Sequence, residues 1–251
     1  MKPHAKSMTT LLSRIPRSRS FWVILSALLI GVVLLVGMLG ARSGEPASTT
    51  APKRSANQQQ NQNSTPADMA RRVADDVTAQ GAVDAPVVMI EYADYRCPFC
   101  GLFARDTLPP LIEKYVDSGD LRIEWRDLPV FGEQSQLAAV AGRAAGEQNK
   151  FWEFNKAVFD IAPERGHADL TRDQLISIAE QVGVPDLKQF DADLDSPELA
   201  QAVDQDAQEA ASLGATGTPS FLINGTPFVG AQPLEVFEKT IDAELAKAPG
   251  N

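Results

Sequence analysis

The chain has 251 residues, 23 of them basic and 33 acidic, enough for one compact domain with extensions. Eight basic residues and one acid, Glu45, precede residue 67, which leaves 15 basic and 32 acidic groups, a net charge of −17, in residues 67–251. So acidic a body, with no basic patch interleaved with aromatics, excludes nucleic acid as a partner and describes a solvated, soluble surface.

Residues 1–20 carry Lys2, Lys6, Arg14, Arg17 and Arg19 and no acid. Residues 21–41 follow as 21 residues without a charge, Ser26 being the one ordinary polar side chain, long enough to cross about 30 Å of hydrocarbon as a helix. A cleaved signal peptide would have a shorter apolar region and small residues before the cut, a rule that Leu39 and Ala41 fit poorly. No cysteine lies nearby to take a lipid. The expectation is a retained single-pass anchor in the cell membrane, with residues 1–20 cytoplasmic by the positive-inside bias and everything beyond residue 41 outside. Residues 42–66 have no aromatic or branched aliphatic side chain and cannot build a core. They read as a disordered tether with a root-mean-square span of about 25–30 Å.

Residues 67–251 read as one α/β domain. Pro66 and Asp68 open a stretch in which Met69, Val73 and Val77 recur every four residues up to Gly81, the pattern of a short amphipathic helix. Pro86 precedes Val87-Val88-Met89-Ile90, an apolar run suited to a strand buried on both faces. Cys97-Pro98-Phe99-Cys100 comes next, and Leu102, Phe103, Leu108, Leu111, Ile112, Tyr115 and Val116 continue at helical spacing. Pro109 and Pro110 should kink or break that helix near its middle. Leu121, Ile123 and Trp125 alternate with Arg122, Glu124 and Arg126, the period of a second strand, so strand, helix and strand form a crossover. Residues 133–213 read as helices only, with a capping-box pattern at Thr171 and Gln174 and a start at Ser196 and Pro197. Ser220–Ile223 and Thr226–Val229 flank Asn224-Gly225 as a hairpin, and Pro233 opens a closing helix through Leu234, Phe237, Ile241 and Leu245. The order β-α-β, inserted helices, β-β-α is that of a thioredoxin fold with a helical insertion.

The chain's two cysteines stand two residues apart. Zinc would need further soft or imidazole ligands, and beyond residue 41 only His167, in a polar segment that reads as surface, is available. A structural staple closing so short a loop contributes roughly 2 kcal/mol, against about 4.7 for a loop of 100 residues. A redox dithiol is the stronger reading, because a cysteine at a helix start meets unpaired backbone N–H groups and the positive end of the helix dipole, which favour a thiolate. Pro98 suits the first helical position. No metal and no cofactor are called for.

Cys97-Pro98-Phe99-Cys100 after an apolar strand, the helical insertion, and Gly217-Thr218-Pro219-Ser220-Phe221 before the hairpin resemble the DsbA-like thiol-disulfide oxidoreductases of bacterial cell envelopes over about residues 67–248. The resemblance implies that Cys97 is the attacking cysteine and Cys100 the buried resolving one, joined in a redox disulfide, with Thr218-Pro219 as a cis-proline loop that could pair with a substrate segment. It implies that Glu91, six residues before Cys97, is a buried acid accepting the proton of Cys100; a solvent-facing strand residue is the other reading. It further implies a dithiol oxidase for unfolded or reduced exported proteins, reoxidised by a membrane partner of the DsbB or VKOR type. Phe99 departs from the Pro-His dipeptide of the strongest oxidases and leaves isomerase or reductase work as the alternative, with an anchored binding or chaperone module behind it. An anchor and tether stand where dedicated isomerases commonly have a dimerisation module, which favours the oxidase.

Overall fold

The computed structural model describes residues 69–248. The expected cytoplasmic segment, anchor and tether lie outside these residues; among the described ones, no helix is long and apolar enough to cross a membrane. The domain is built on a five-stranded sheet of order β1-β3-β2-β4-β5. Its strands are β1 (Ala79–Gln80), β2 (Val87–Ala93), β3 (Leu121–Asp127), β4 (Ser220–Ile223) and β5 (Thr226–Val229). β2 and β3 are parallel, and the other pairs are antiparallel.

Every residue of β2 is buried, as its unbroken apolar run requires of a strand covered on both faces. Between β2 and β3 runs α1 (residues 98–116). It is α-helical over Pro98–Leu102 and Leu108–Leu111 and π-helical over Phe103–Thr107 and Ile112–Val116. The Pro109-Pro110 pair therefore does not end the helix; the ladder widens on either side of two residues that have no N–H to give. The insertion comprises α2 (Glu133–Gly146), α3 (Phe151–Asp160), α4 (Arg172–Gln181), α5 (Leu187–Asp193) and α6 (Pro197–Ser212). Thr171 and Ser196 cap α4 and α6 by accepting the backbone N–H of Gln174 and Leu199. α7 (Leu234–Leu245) closes the chain, with Pro233 as its N-cap. Asn224 and Gly225, both at positive φ, make the hairpin turn.

One core, containing Leu111, Leu121, Ile123, Phe221 and Phe237, joins α1 and α7 to the sheet. A second runs from Tyr95, Cys97, Cys100 and Trp125 into the inserted helices through Phe154, Phe159, Leu175 and Phe190. The insertion thus supplies the wall behind the cysteine pair.

One reading is corrected. The stretch from Met69 to Gly81 is not an amphipathic helix: Val73 and Val77 are exposed, and Arg72 and Asp75 have positive φ. The backbone N–H groups of Arg71 and Arg72 instead donate to the Glu124 carboxylate at 2.9 and 2.8 Å, and Ala79 and Gln80 pair with β3. Tertiary hydrogen bonds displace helical ones here. The polar residues alternating along β3 are buried like the apolar ones. Glu124 pairs with Arg122 at 3.0 Å and Arg126 at 2.8 Å, and Asp206 on α6 joins Arg71 and Arg143.

Candidate active site

The turn at the end of β2 is shaped by Asp94. Its carbonyl accepts the N–H of Cys97 at 3.0 Å, and one carboxylate oxygen accepts the N–H of Arg96 at 2.7 Å. The other oxygen accepts the N–H of Val130 at 2.7 Å, tying the loop after β3 to the cysteine turn. Arg96 reaches across the same junction, donating to the carbonyls of Phe131 at 2.7 Å and Ala168 at 2.8 Å. His167, exposed as expected, lies against this rim, with Nδ1 2.9 Å from the Arg96 carbonyl and its ring 4.1 Å from that of Phe131.

Cys97 is the N-cap of α1 and Pro98 follows at its first turn, so the Cys97 sulfur faces the free N–H groups of the helix start. Both cysteines are free thiols and both are buried. The Cys97 thiol donates to the Thr218 carbonyl at 3.2 Å, so the loop before β4 covers the sulfur. The Thr218–Pro219 bond is cis, and the Thr218 hydroxyl is buried without a hydrogen-bond partner. Phe99, between the cysteines, is 61 % exposed.

The two thiols have opposite electrostatics. Cys97 is pushed down to about 6, first by a hydrogen bond from the Cys100 thiol, against the cost of burial, then by the Thr218 side chain and the N–H groups of Cys100 and Phe99. Burial pushes Cys100 well up, and its bond to Cys97 adds to this. Glu91 sits in β2 opposite Trp125 on β3 and Phe221 on β4. It is buried, its Oε1 has no partner, and desolvation raises it to about 8. Of its two readings, the solvent-facing one is excluded by this burial.

The structure therefore brings Cys97, Cys100, Thr218 and Pro219 together, places Glu91 under the same helix, and leaves Phe99 at the mouth. Sequence reasoning missed Asp94 and Arg96. An aspartate one residue past an apolar strand and three before a helix-opening cysteine is the pattern of a side chain that caps its own turn.

Fold and site together define a thioredoxin-fold dithiol protein. A family model described as Thioredoxin matches residues 73–243. The probable disulfide bond formation protein D of Bacillus cereus is 34% identical over 170 residues, covering 66% of this chain and 78% of that protein. Oxidised BdbD from Bacillus subtilis superposes with a TM-score of 0.63 at 25% identity, covering 67% of this chain and 92% of BdbD. α-DsbA1 from Wolbachia pipientis gives 0.61 at 28% identity, with 68% and 91% covered. The chain belongs to the thioredoxin family and, within it, to the DsbA-like disulfide bond formation proteins. It is a thiol-disulfide oxidoreductase.

Proposed function

We propose that this oxidoreductase works as a dithiol oxidase outside the cytoplasm, introducing disulfides into exported proteins through Cys97 and Cys100. The observation that carries the reading is the contrast between a Cys97 thiol lowered to about 6 and a Cys100 thiol raised by burial. A stabilised Cys97 thiolate favours the reduced enzyme, which makes the corresponding disulfide a stronger oxidant.

In the forward reaction a substrate thiolate attacks the Cys97 sulfur of the disulfide, the Cys97–Cys100 bond breaks, and Cys100 departs with the electron pair. Cys100 is buried and must take a proton, and Glu91, protonated below about pH 8, is the acid in reach of that side of the helix. A second substrate thiolate then attacks the substrate sulfur of the mixed disulfide and releases Cys97 as a thiolate. The substrate has lost two electrons and the enzyme has gained them. During reoxidation Glu91 accepts the Cys100 proton. Thr218 and Pro219 line the approach to the Cys97 sulfur, where an extended substrate segment would lie.

The basic segment 1–20, the apolar run 21–41 and the polar stretch 42–66 support a domain of about residues 67–251 tethered to the outer face of the cell membrane, within reach of a membrane reoxidase of the DsbB or VKOR type. Equilibration with glutathione tests the direction of electron flow. A potential near the oxidising end of the family range, about −120 mV, supports the oxidase; one near −270 mV overturns it in favour of a reductase.

A further inference from the structure

An apolar cavity of about 410 Å³ opens between α1 and α3, walled by Leu108, Ile112, Trp152 and Phe159. It lies on the helix that carries the cysteines, beginning at Ala104, one turn past Cys100. The charges at its rim are not balanced. Lys156 is held by Asp160 at 2.6 Å and Glu153 by Lys150 at 3.0 Å. Glu113 and Asp117, four residues apart on α1, border the same cavity, are exposed, and have no side-chain partner among the described residues. An apolar hollow with two unpaired carboxylates at its edge complements a group that is apolar at its tip and cationic beside it.

We infer that this cavity is a docking site for the polypeptide being oxidised, taking a large apolar side chain into the hollow and an adjacent lysine or arginine onto Glu113 and Asp117. The inference rests on the oxidase reading and adds a recognition element to it. From Cys97 to Leu108 is eleven residues along α1, roughly 16 Å at helical rise, which an extended substrate covers in about five residues. The favoured substrate carries an apolar-basic pair about five residues from the cysteine that attacks Cys97. The net charge of −17 on residues 67–251 draws such cationic segments in before contact.

Two dithiol peptides test this on the full-length protein, one with Phe-Lys five residues from its second cysteine and one with Ser-Ser there. The Phe-Lys peptide should show a KM about fivefold to tenfold lower at equal kcat, and the Glu113→Lys, Asp117→Lys double variant should remove that advantage without changing turnover of the Ser-Ser peptide. Both positions are on the surface, so folding is spared. Equal KM values, or an advantage that survives the charge reversal, overturn the docking site while leaving the oxidase reading intact. If neither peptide is oxidised, the oxidase reading falls. Anisotropy of dye-labelled peptides with serine in place of cysteine then decides docking by itself: tighter binding of Phe-Lys that the double variant abolishes supports it, and equal binding ends it.

Discussion

The Cys97 sulfur lies 3.2 Å from the Thr218 carbonyl, and the hydroxyl of the same threonine is buried with no partner while Cys97 holds its proton. Ionised Cys97 offers that hydroxyl an acceptor, and the Thr218 side chain is among the groups that lower the thiol. Thr218→Val keeps the shape and removes the donor. The Cys97 pKa should rise by about half a unit to one unit, and the reduction potential should fall by about 15–30 mV, since a unit is about 1.4 kcal/mol and a two-electron couple moves about 30 mV for that energy. Thiolate absorbance against pH and glutathione equilibration measure the two. A pKa that rises with no fall in potential would separate thiolate stability from oxidising power.

The leading cause of the low Cys97 pKa is the thiol of Cys100, which gives the trapping experiment a second readout. Cys100→Ala should accumulate mixed disulfides with disulfide-bonded protein substrates, the Cys97 thiolate attacking a substrate disulfide and releasing the other substrate cysteine as a thiol, because nothing remains inside the enzyme to resolve them. It should also raise the Cys97 pKa. Cys97→Ala should trap nothing, as the remaining thiol is fully buried and held protonated. Non-reducing gels and mass spectrometry read the trapping; equal capture by both variants would reverse the assigned roles.

Local signals in the chain were legible where local physics decides. The buried strand, the caps at Thr171 and Ser196, the Asn224-Gly225 turn and the cysteine motif all rest on interactions within a few residues. What escaped is settled by residues far apart in sequence. Met69–Gly81 has a helical stripe, yet its backbone donors go to Glu124, more than fifty residues on. Period-two charges on β3 are legible as a strand, but their burial depends on Glu209 from α6, which takes Arg126, and on the backbone donors of Arg71 and Arg72, which take Glu124. Within the helical stretch 133–213, the start of α5 was given no signal of its own, although Asp186 accepts the N–H of Gln189, the same capping spacing used at Thr171. At the site, the motif pointed to both cysteines, whereas the grip of Asp94 on Val130 requires a loop from beyond β3.

Glu91 should leave a mark on stability. Its folded pKa, about 8, is raised from an ordinary 4.5, so its contribution to stability is fully present below about pH 4.5 and is lost as pH rises through 8. A shift of that size corresponds to about 5 kcal/mol. Glu91→Gln cannot ionise, so it should become more stable relative to the parent as pH increases over this window, and it should slow disulfide exchange by removing the Cys100 proton carrier. Asp127, raised to about 6 by burial, titrates in part of the same range, so the readout is the difference between variant and parent in denaturant melts at pH 5 and 8. A constant difference would mean that Glu91 is not proton-linked to folding.

Glu124 supplies the opposite limb. It accepts from two backbone N–H groups and two guanidinium groups, and its pKa is lowered from 4.5 to about 2 although burial alone would raise it. A lowered carboxyl contributes stability above about pH 4.5 and loses it as pH falls through 2, about 3 kcal/mol by the size of the shift. Glu124→Ala leaves Arg122 buried without its carboxylate and Arg126 with Glu209 alone, at 3.2 Å, so it should cost about 3–5 kcal/mol at pH 7. It should also release the segment around Arg71 and Arg72 to limited trypsin digestion, because the donors that pin this segment lose their acceptor. The parent's advantage should shrink on acidification toward pH 3 as Glu124 begins to take up a proton. The side chain projects from β3 on the face away from Trp125 and the cysteine helix, so the Cys97 pKa should stay where it is. A variant that resists trypsin at Arg71 and Arg72 and loses less than about 1 kcal/mol would show that the arginines find other partners and that the N-terminal segment is held by its apolar contacts alone.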